Sequence, residues 1–413
     1  MKTSHNSVLA RACDARRAER TGAAGAGSAL RRPSGYAGRW TCWAFGGLAL
    51  LTASASAVAA EYYLPIVMPI TGFLSVEGCS QRNGAVMALE HAPAGVGVKY
   101  PIFDTGTSAT GAATAIDQAL SSGKAIAAAT SVFGTEMVAM VPVATEYKVP
   151  VLTISGLSKL TESGNAYVFR FLPNDREIKV AHARYVVEVL KKTKPALVGD
   201  TTAYGQGGFK LLQENFSKLG VKPVFEESSI APDTKDMSPL LSKIKNSGAD
   251  SIVLHMVGAP MFLILKQARA AGIDLPFIMG SSIVEPTATA LFEPSELAGV
   301  CAETPSAPEA RATPEMKAWA DAYKQRFGIE PDGLALGQYD GVMMALQMIA
   351  QGATTAEAMR AALDKGTYKG VAMTYKSNGH GDMAHDADIV CYDGKTRIPN
   401  IAAHYAGDQL VLK

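Results

Sequence analysis

Two short runs carry residue types that could do chemistry. Phe133-Gly134-Thr135 opens an apolar-periodic stretch, and Ser155-Gly156-Leu157-Ser158 follows the β-rich run 149–154. Both place hydroxyls and glycine N–H groups where a chain passes from strand to helix. A helix N-terminus has unpaired N–H donors, and its dipole favours negative charge. A carboxylate held there would find the several donors it needs, because a buried unpaired charge is very costly. Taken singly, Thr135 reads equally as a helix cap and 155–158 as a turn. A third run, Tyr204-Gly205-Gln206-Gly207-Gly208, superficially suggests a phosphate loop. It lacks both the G-x-G-x-x-G spacing and the P-loop lysine.

Catalytic patterns are missing. The sequence has no G-x-S-x-G turn and no H-E-x-x-H helix. Cys79 could be a thiol nucleophile, but nothing identifies a base for it. His380, Asp382, His385, Asp386 and Asp388 cluster at spacings that could bind a metal. A polar loop between strands is the plainer reading. The expectation is a non-enzymatic protein without metal or cofactor; a two-domain α/β enzyme is the rival from another class.

The elements that must position these residues alternate. Strand-like runs at 62–68, 98–103, 125–129, 149–154 and 168–171 are separated by helical patterns at 78–90, 110–120 and 135–147. A second series has strands at 196–198, near 224, at 251–256 and at 277–279, with helices at 176–191, 206–219, 237–247 and 261–271. The strands are near-continuous apolar runs, as expected when helices cover both sheet faces. Repeated βα units imply parallel sheets, with ligands outside the carboxyl ends of the strands. After Pro305 come helices at 314–327, 334–351 and 355–364, then short β-like segments at 371–374, 389–392 and 401–405. These would return to complete the two earlier series rather than begin a third domain.

An apolar run from Phe45 ends in Ala57-Val58-Ala59-Ala60 and follows a basic segment, as in a secretory signal peptide. Residues 1–60 are expected to be removed, leaving a mature chain that starts at Ala60 or Glu61. Beyond residue 60, 31 Lys+Arg stand against 36 Asp+Glu, a net charge of −5. That disfavours nucleic acid as a partner. No later stretch has 18 uninterrupted apolar residues. Three cysteines remain, Cys79, Cys301 and Cys391; a Cys301–Cys391 bridge is possible.

The chain also resembles a family. Thr71-Gly72 leads to Gly78 and Asn83-Gly84-Ala85 in the first strand–helix unit. The run from Val149 to Ser158, the run from Asp200 to Gly207, Phe169-Arg170 and Gln338-Tyr339-Asp340 follow in order. Together these are similar to the periplasmic leucine/isoleucine/valine-binding proteins, solute receptors of branched-chain amino acid type ABC importers. The resemblance implies an α/β type I periplasmic-binding-protein fold: two doubly wound parallel-sheet lobes joined by three crossover strands. Lobe 1 would comprise 61–172 and 305–377, and lobe 2 would comprise 173–304 and 378–413. It implies a monomer working in the periplasm with an inner-membrane ABC permease, or alternatively a sensory module for a membrane receptor. It also implies a ligand between the lobes. Thr135 and Ser158 would match two hydroxyl contacts to the ligand carboxylate, and Gly156 a backbone contact, beside Gly134 and Ser155. Tyr204 would match a tyrosine closing from lobe 2. The family's second tyrosine falls at Val257, and its acidic partner for the ligand ammonium at Ser281 or Ser282. Glu285 or Glu77 could substitute. The implied ligand is a small, mostly apolar carboxylate: an aromatic or branched aliphatic acid, or a hydrophobic amino acid.

Overall fold

Two prolines shape the start of the chain. Glu61–Tyr63 (β1) and Ile66–Met68 (β2) are one extended run broken at Pro65, and Gly97–Lys99 (β3) and Ile102–Asp104 (β4) are broken at Pro101. Proline has no N–H to give to a ladder. The computed structural model describes residues 61–407 and 409–411, so the expected signal peptide lies outside the described residues.

Ala128–Thr130 (β5), Val151–Thr153 (β6) and Val168–Arg170 (β7) complete a five-stranded parallel sheet of order β4-β2-β5-β6-β7. Its crossovers are Ser75–Glu90 (α1), Ala109–Leu120 (α2) and Gly134–Glu146 (α3). Ser108 Oγ caps α2 by accepting from Gly111 N. The strands β2, β5, β6 and β7 are buried throughout, which explains their unbroken apolar runs.

Asp175–Arg184 (α4) leads into the second sheet. Pro195–Asp200 (β8), Phe225–Ile230 (β9), Ser251–His255 (β10), Phe277–Met279 (β11) and Val300–Thr304 (β12) are parallel, in the order β9-β8-β10-β11-β12. Ala203–Lys218 (α5), Ser238–Asn246 (α6) and Gly258–Ala270 (α7) connect them. The expected helix at 176–191 is shorter than its pattern: α4 ends at Arg184 and Tyr185–Val189 widens into a π-helical turn.

After β12, Pro314–Phe327 (α8), Gly333–Ala350 (α9) and Ala356–Asp364 (α10) go back to the first sheet. Trp319, Tyr323, Leu336, Val342 and Met359 share one core with Ile66, Ala85 and Leu152. Gly84 lies so close to Ala335 that a Cβ there would meet its carbonyl oxygen at 2.0 Å, so α1 and α9 pack backbone to backbone. A hairpin of Thr367–Lys369 (β13) and Thr374–Lys376 (β14) follows. Asp386–Cys391 (β15), Asn400–Ala406 (β16) and Gln409–Val411 (β17) then add antiparallel strands beyond β12.

The chain thus crosses three times between the sheets, after β7, after β12 and before β15. The third crossing is later than the 377/378 boundary expected from sequence. Arg170 N donates to Gly381 O and Met383 N to Arg170 O, so 381–383 lies along β7, and Met383 and Ala384 are in the first core. Cys301 and Cys391 face each other on β12 and β15 and form a disulfide. Among the described residues, no helix is long and apolar enough to cross a membrane.

Candidate functional site

A cavity of about 50 Å³ lies where the carboxyl ends of the two parallel sheets meet. Most wall residues follow a strand. Leu74 and Glu77 come after β2, Val132 and Phe133 after β5, Ile154 and Gly156 after β6, and Asp175 after β7. From the second sheet come Tyr204 after β8, Val257 after β10, Ser281 and Ser282 after β11, and Glu303 in β12. The lobes touch around this cavity. Leu74 and Phe133 of lobe 1 form an apolar cluster with Val257, against which Tyr204 packs. Ala203 N donates to Thr135 Oγ1 at 3.3 Å, and Ser282 of lobe 2 shares the wall with Glu77 of lobe 1.

The loops are held from behind by buried polar groups. Asp200, at the end of β8, accepts from Thr202 N, Thr202 Oγ1 and, at 2.9 Å, Val257 N, so one carboxylate ties the start of α5 to the start of α7. The Tyr204 ring lies 4.2 Å from that of His255, whose Nε2 meets Tyr204 O at 3.1 Å. In lobe 1, fully buried Arg170 donates from Nη1 to Ser155 O and Leu157 O and pairs through Nε with Asp382 at 2.8 Å. Gln81 donates to Thr130 O and Gln338 Oε1, and accepts from Val132 N.

The electrostatics of the wall are acidic. Glu77, Asp175 and Glu303 line it, and among the described residues no lysine, arginine or histidine does. Burial raises Glu77 to about 7, with the Ser282 hydrogen bond opposing and the Asp332 charge adding. Burial raises Asp175 to about 6, with Lys179 opposing. Glu285, behind Ser282, is pushed well above the carboxylate range by burial and by the Glu77 charge. Glu303 differs: although burial pushes it up, Lys179 and His182 hold it down to about 2. Both pair with it, His182 Nδ1 at 2.7 Å.

The residues expected from sequence divide. Glu77, Gly156, Tyr204, Val257, Ser281 and Ser282 meet on the cavity wall. Thr135 does not; its hydroxyl faces the start of α5 and is engaged with Ala203. Ser158 also lies off the wall, because its hydroxyl donates to Asn174 Oδ1 and accepts from Arg176 N at the first crossing. Gly134 packs under Leu157, and Ser155 is fully buried with its Oγ unpartnered. Of the two acids offered as substitutes for the one missing at 281–282, Glu77 lines the cavity and Glu285 does not. Asp175 and Glu303 were not singled out from sequence. A carboxylate inside the apolar run Val300-Cys301-Ala302-Glu303 was the available signal for the second.

The other candidates disperse. Asp382 is committed to Arg170, His385 meets Lys376 O and Glu177, and His404 holds Asp388. No group among the described residues could hold a metal ion. Cys79 is buried in α1 and is not on the wall.

A cleft between two parallel sheets, walled by loops from both, is the geometry of a receptor that closes on a solute. The periplasmic binding protein family model matches residues 61–396. The chain belongs to this family. It is 31% identical over 188 residues to an amino acid binding protein of Pseudomonas aeruginosa, which covers 45% of this chain and 48% of that one. It is 27% identical over 332 residues to a leucine-, isoleucine-, valine-, threonine-, and alanine-binding protein of the same organism, covering 75% of this chain and 84% of that one. The chain spans about half the length of the first curated relatives it matches. A leucine binding protein from Thermotoga maritima shares the fold with a TM-score of 0.76 at 23% identity, over 84% of this chain and 99% of that one.

Proposed function

We propose that this periplasmic binding protein is the substrate-binding component of a branched-chain amino acid type ABC importer. It takes a small, mostly apolar solute between its lobes in the periplasm and, as a monomer, delivers it to an inner-membrane permease. The observation that carries this reading is the cavity at the carboxyl ends of both sheets, walled from both lobes. A solute touching both walls favours the closed form by its differential contacts. The moving lobes would be 61–172 with 305–384 and 173–304 with 385–413.

Leu74, Phe133, Ile154, Leu172 and Ile178 suit an apolar body. Among an aromatic acid, a branched aliphatic acid and a hydrophobic amino acid, the wall favours the amino acid. Glu77 faces the cavity as the partner that an ammonium needs. A thermal-shift and scattering screen tests this, pairing leucine and phenylalanine with their 2-oxo analogues. A ligand that binds only the native state raises Tm, and closure lowers the radius of gyration. Turnover of a bound solute, or an unchanged radius with a tight ligand, would overturn the receptor reading.

A further inference from the structure

We infer that the group this cleft requires is a small primary ammonium, and that a ligand carboxylate is dispensable. The inference deepens the solute-receptor reading and rests on it.

Three observations carry it. First, several buried carboxylate oxygens have no hydrogen-bond partner: Oε1 of Glu77, Oδ2 of Asp175 and both of Glu285. Glu77, Asp175 and Glu285 are 3%, 2% and 0% exposed. A buried acceptor left unmade costs its full desolvation penalty, more so when charged. An ammonium supplies three donors and a compensating charge. Second, among the described residues nothing basic is on the wall to do that work. Lys179 and His182 sit behind it and are spent on Glu303.

Third, the place where a ligand carboxylate was expected is taken by an acid. Asp175 Oδ1 lies against Gly156, 2.4 Å from where a Cβ would be, and Asp175 N donates to Gly156 O at 2.9 Å. An anion on that face of Gly156 would meet a carboxylate. The hydroxyls that should have helped lie off the wall: Thr135 accepts from Ala203 N, and Ser158 donates to Asn174 Oδ1.

The two acidic groups at this end come from different lobes, Glu77 on α1 and Glu285 after β11. A cation at the wall meets Glu77 directly, while Glu285 is fully buried and off the lining. Size points the same way. A cavity of about 50 Å³ holds about four waters at 10–15 Å³ each. That suits a short-chain amine without rearrangement of the wall.

The test uses bare functional groups on the purified protein at pH 8. Ethylammonium, propionate, tetramethylammonium and sodium are compared by thermal shift at equal ionic strength. Ethylammonium is expected to raise Tm by several degrees more than the other three. Glu77→Gln and, separately, Glu285→Gln should each weaken ethylammonium binding tenfold or more. Two variants are used so that one failure to fold leaves the other readable. If propionate stabilises as well as ethylammonium, or if ethylammonium does no more than sodium and tetramethylammonium, the inference is overturned. In either case compaction with leucine or its 2-oxo analogue would leave the receptor reading standing.

Discussion

Asp175 leans its carboxylate on Gly156, so that a methyl group at 156 would come within 2.4 Å of Oδ1. The two residues stand on either side of the first crossing and are joined again by Asp175 N donating to Gly156 O. Gly156→Ala should therefore displace the carboxylate. The expected result is a loss of stability that disappears in an Asp175→Ala background, read as a double-mutant cycle in urea. Equal penalties in both backgrounds would mean that the contact does not constrain position 156.

Stability should be greatest in mildly acidic solution. Burial raises Glu77 and Asp340 to about 7, Asp175 to about 6 and Glu309 to about 8. These groups keep their protons in the folded chain and release them, once unfolded, near 4 to 4.5. Their contribution is complete below that range and is lost as pH rises through 6 to 8. Glu303, held near 2 by Lys179 and His182, works in the opposite sense and fails as pH falls below about 4.5. Calorimetry should find the highest Tm near pH 4 to 4.5, falling steadily as pH rises toward 8. A Tm that climbs from pH 6 to 8 would contradict the raised set.

Breaking the Arg170–Asp382 pair should be severe. Removing one partner of a buried ion pair costs about 3–5 kcal/mol, because the other charge stays buried. Asp382→Ala would also release Thr161 and Asn174, which donate to the same carboxylate. Arg170→Met with Asp382→Leu should recover part of the loss. Denaturant midpoints no lower for Asp382→Ala than for wild type would show that the pair is not structural.

Reducing the Cys301–Cys391 bridge should destabilise lobe 2 selectively. It closes a 90-residue separation between β12 and β15. Such bridges contribute typically about 2–4 kcal/mol. Hydrogen exchange with and without reductant should show faster opening in β15 and β16, with β2 and β5 unchanged. Uniform acceleration across both sheets would mean that the lobes unfold as one unit.

The fold was legible because each level of the sequence agreed. Runs such as Val149-Pro150-Val151-Leu152 are buried on both faces, so their composition alone marks a parallel strand. The site was half legible. Gly156 and Tyr204 stand at strand ends, and their place on the wall follows from topology. Thr135 and Ser158 have the right chemistry at the right turns, but what their hydroxyls meet depends on Ala203 and Asn174, which no local pattern reveals. Asp175 was hidden for a different reason. An acid in the first turn of a helix is ordinary, and only the approach of Gly156 gives it a second face. The side on which 381–383 falls was not legible, because it carries a loop's composition. Its pairing with β7 is made by backbone atoms, which leave no trace in side-chain type.

That pairing has a consequence outside ligand binding. β7 is the last strand of its sheet, and a terminal strand exposes a row of N–H and C=O groups onto which a foreign strand can add. Here Gly381 O and Met383 N occupy Arg170's outward groups. The crossing chain itself caps the sheet margin beside the hinge. The segment that joins the lobes is thereby also a guard against aggregation. A variant that frees it, such as Gly381→Val, should reveal itself first by self-association: a Cβ at 381 would meet Val168 O at 2.2 Å, and the backbone there has φ +95°.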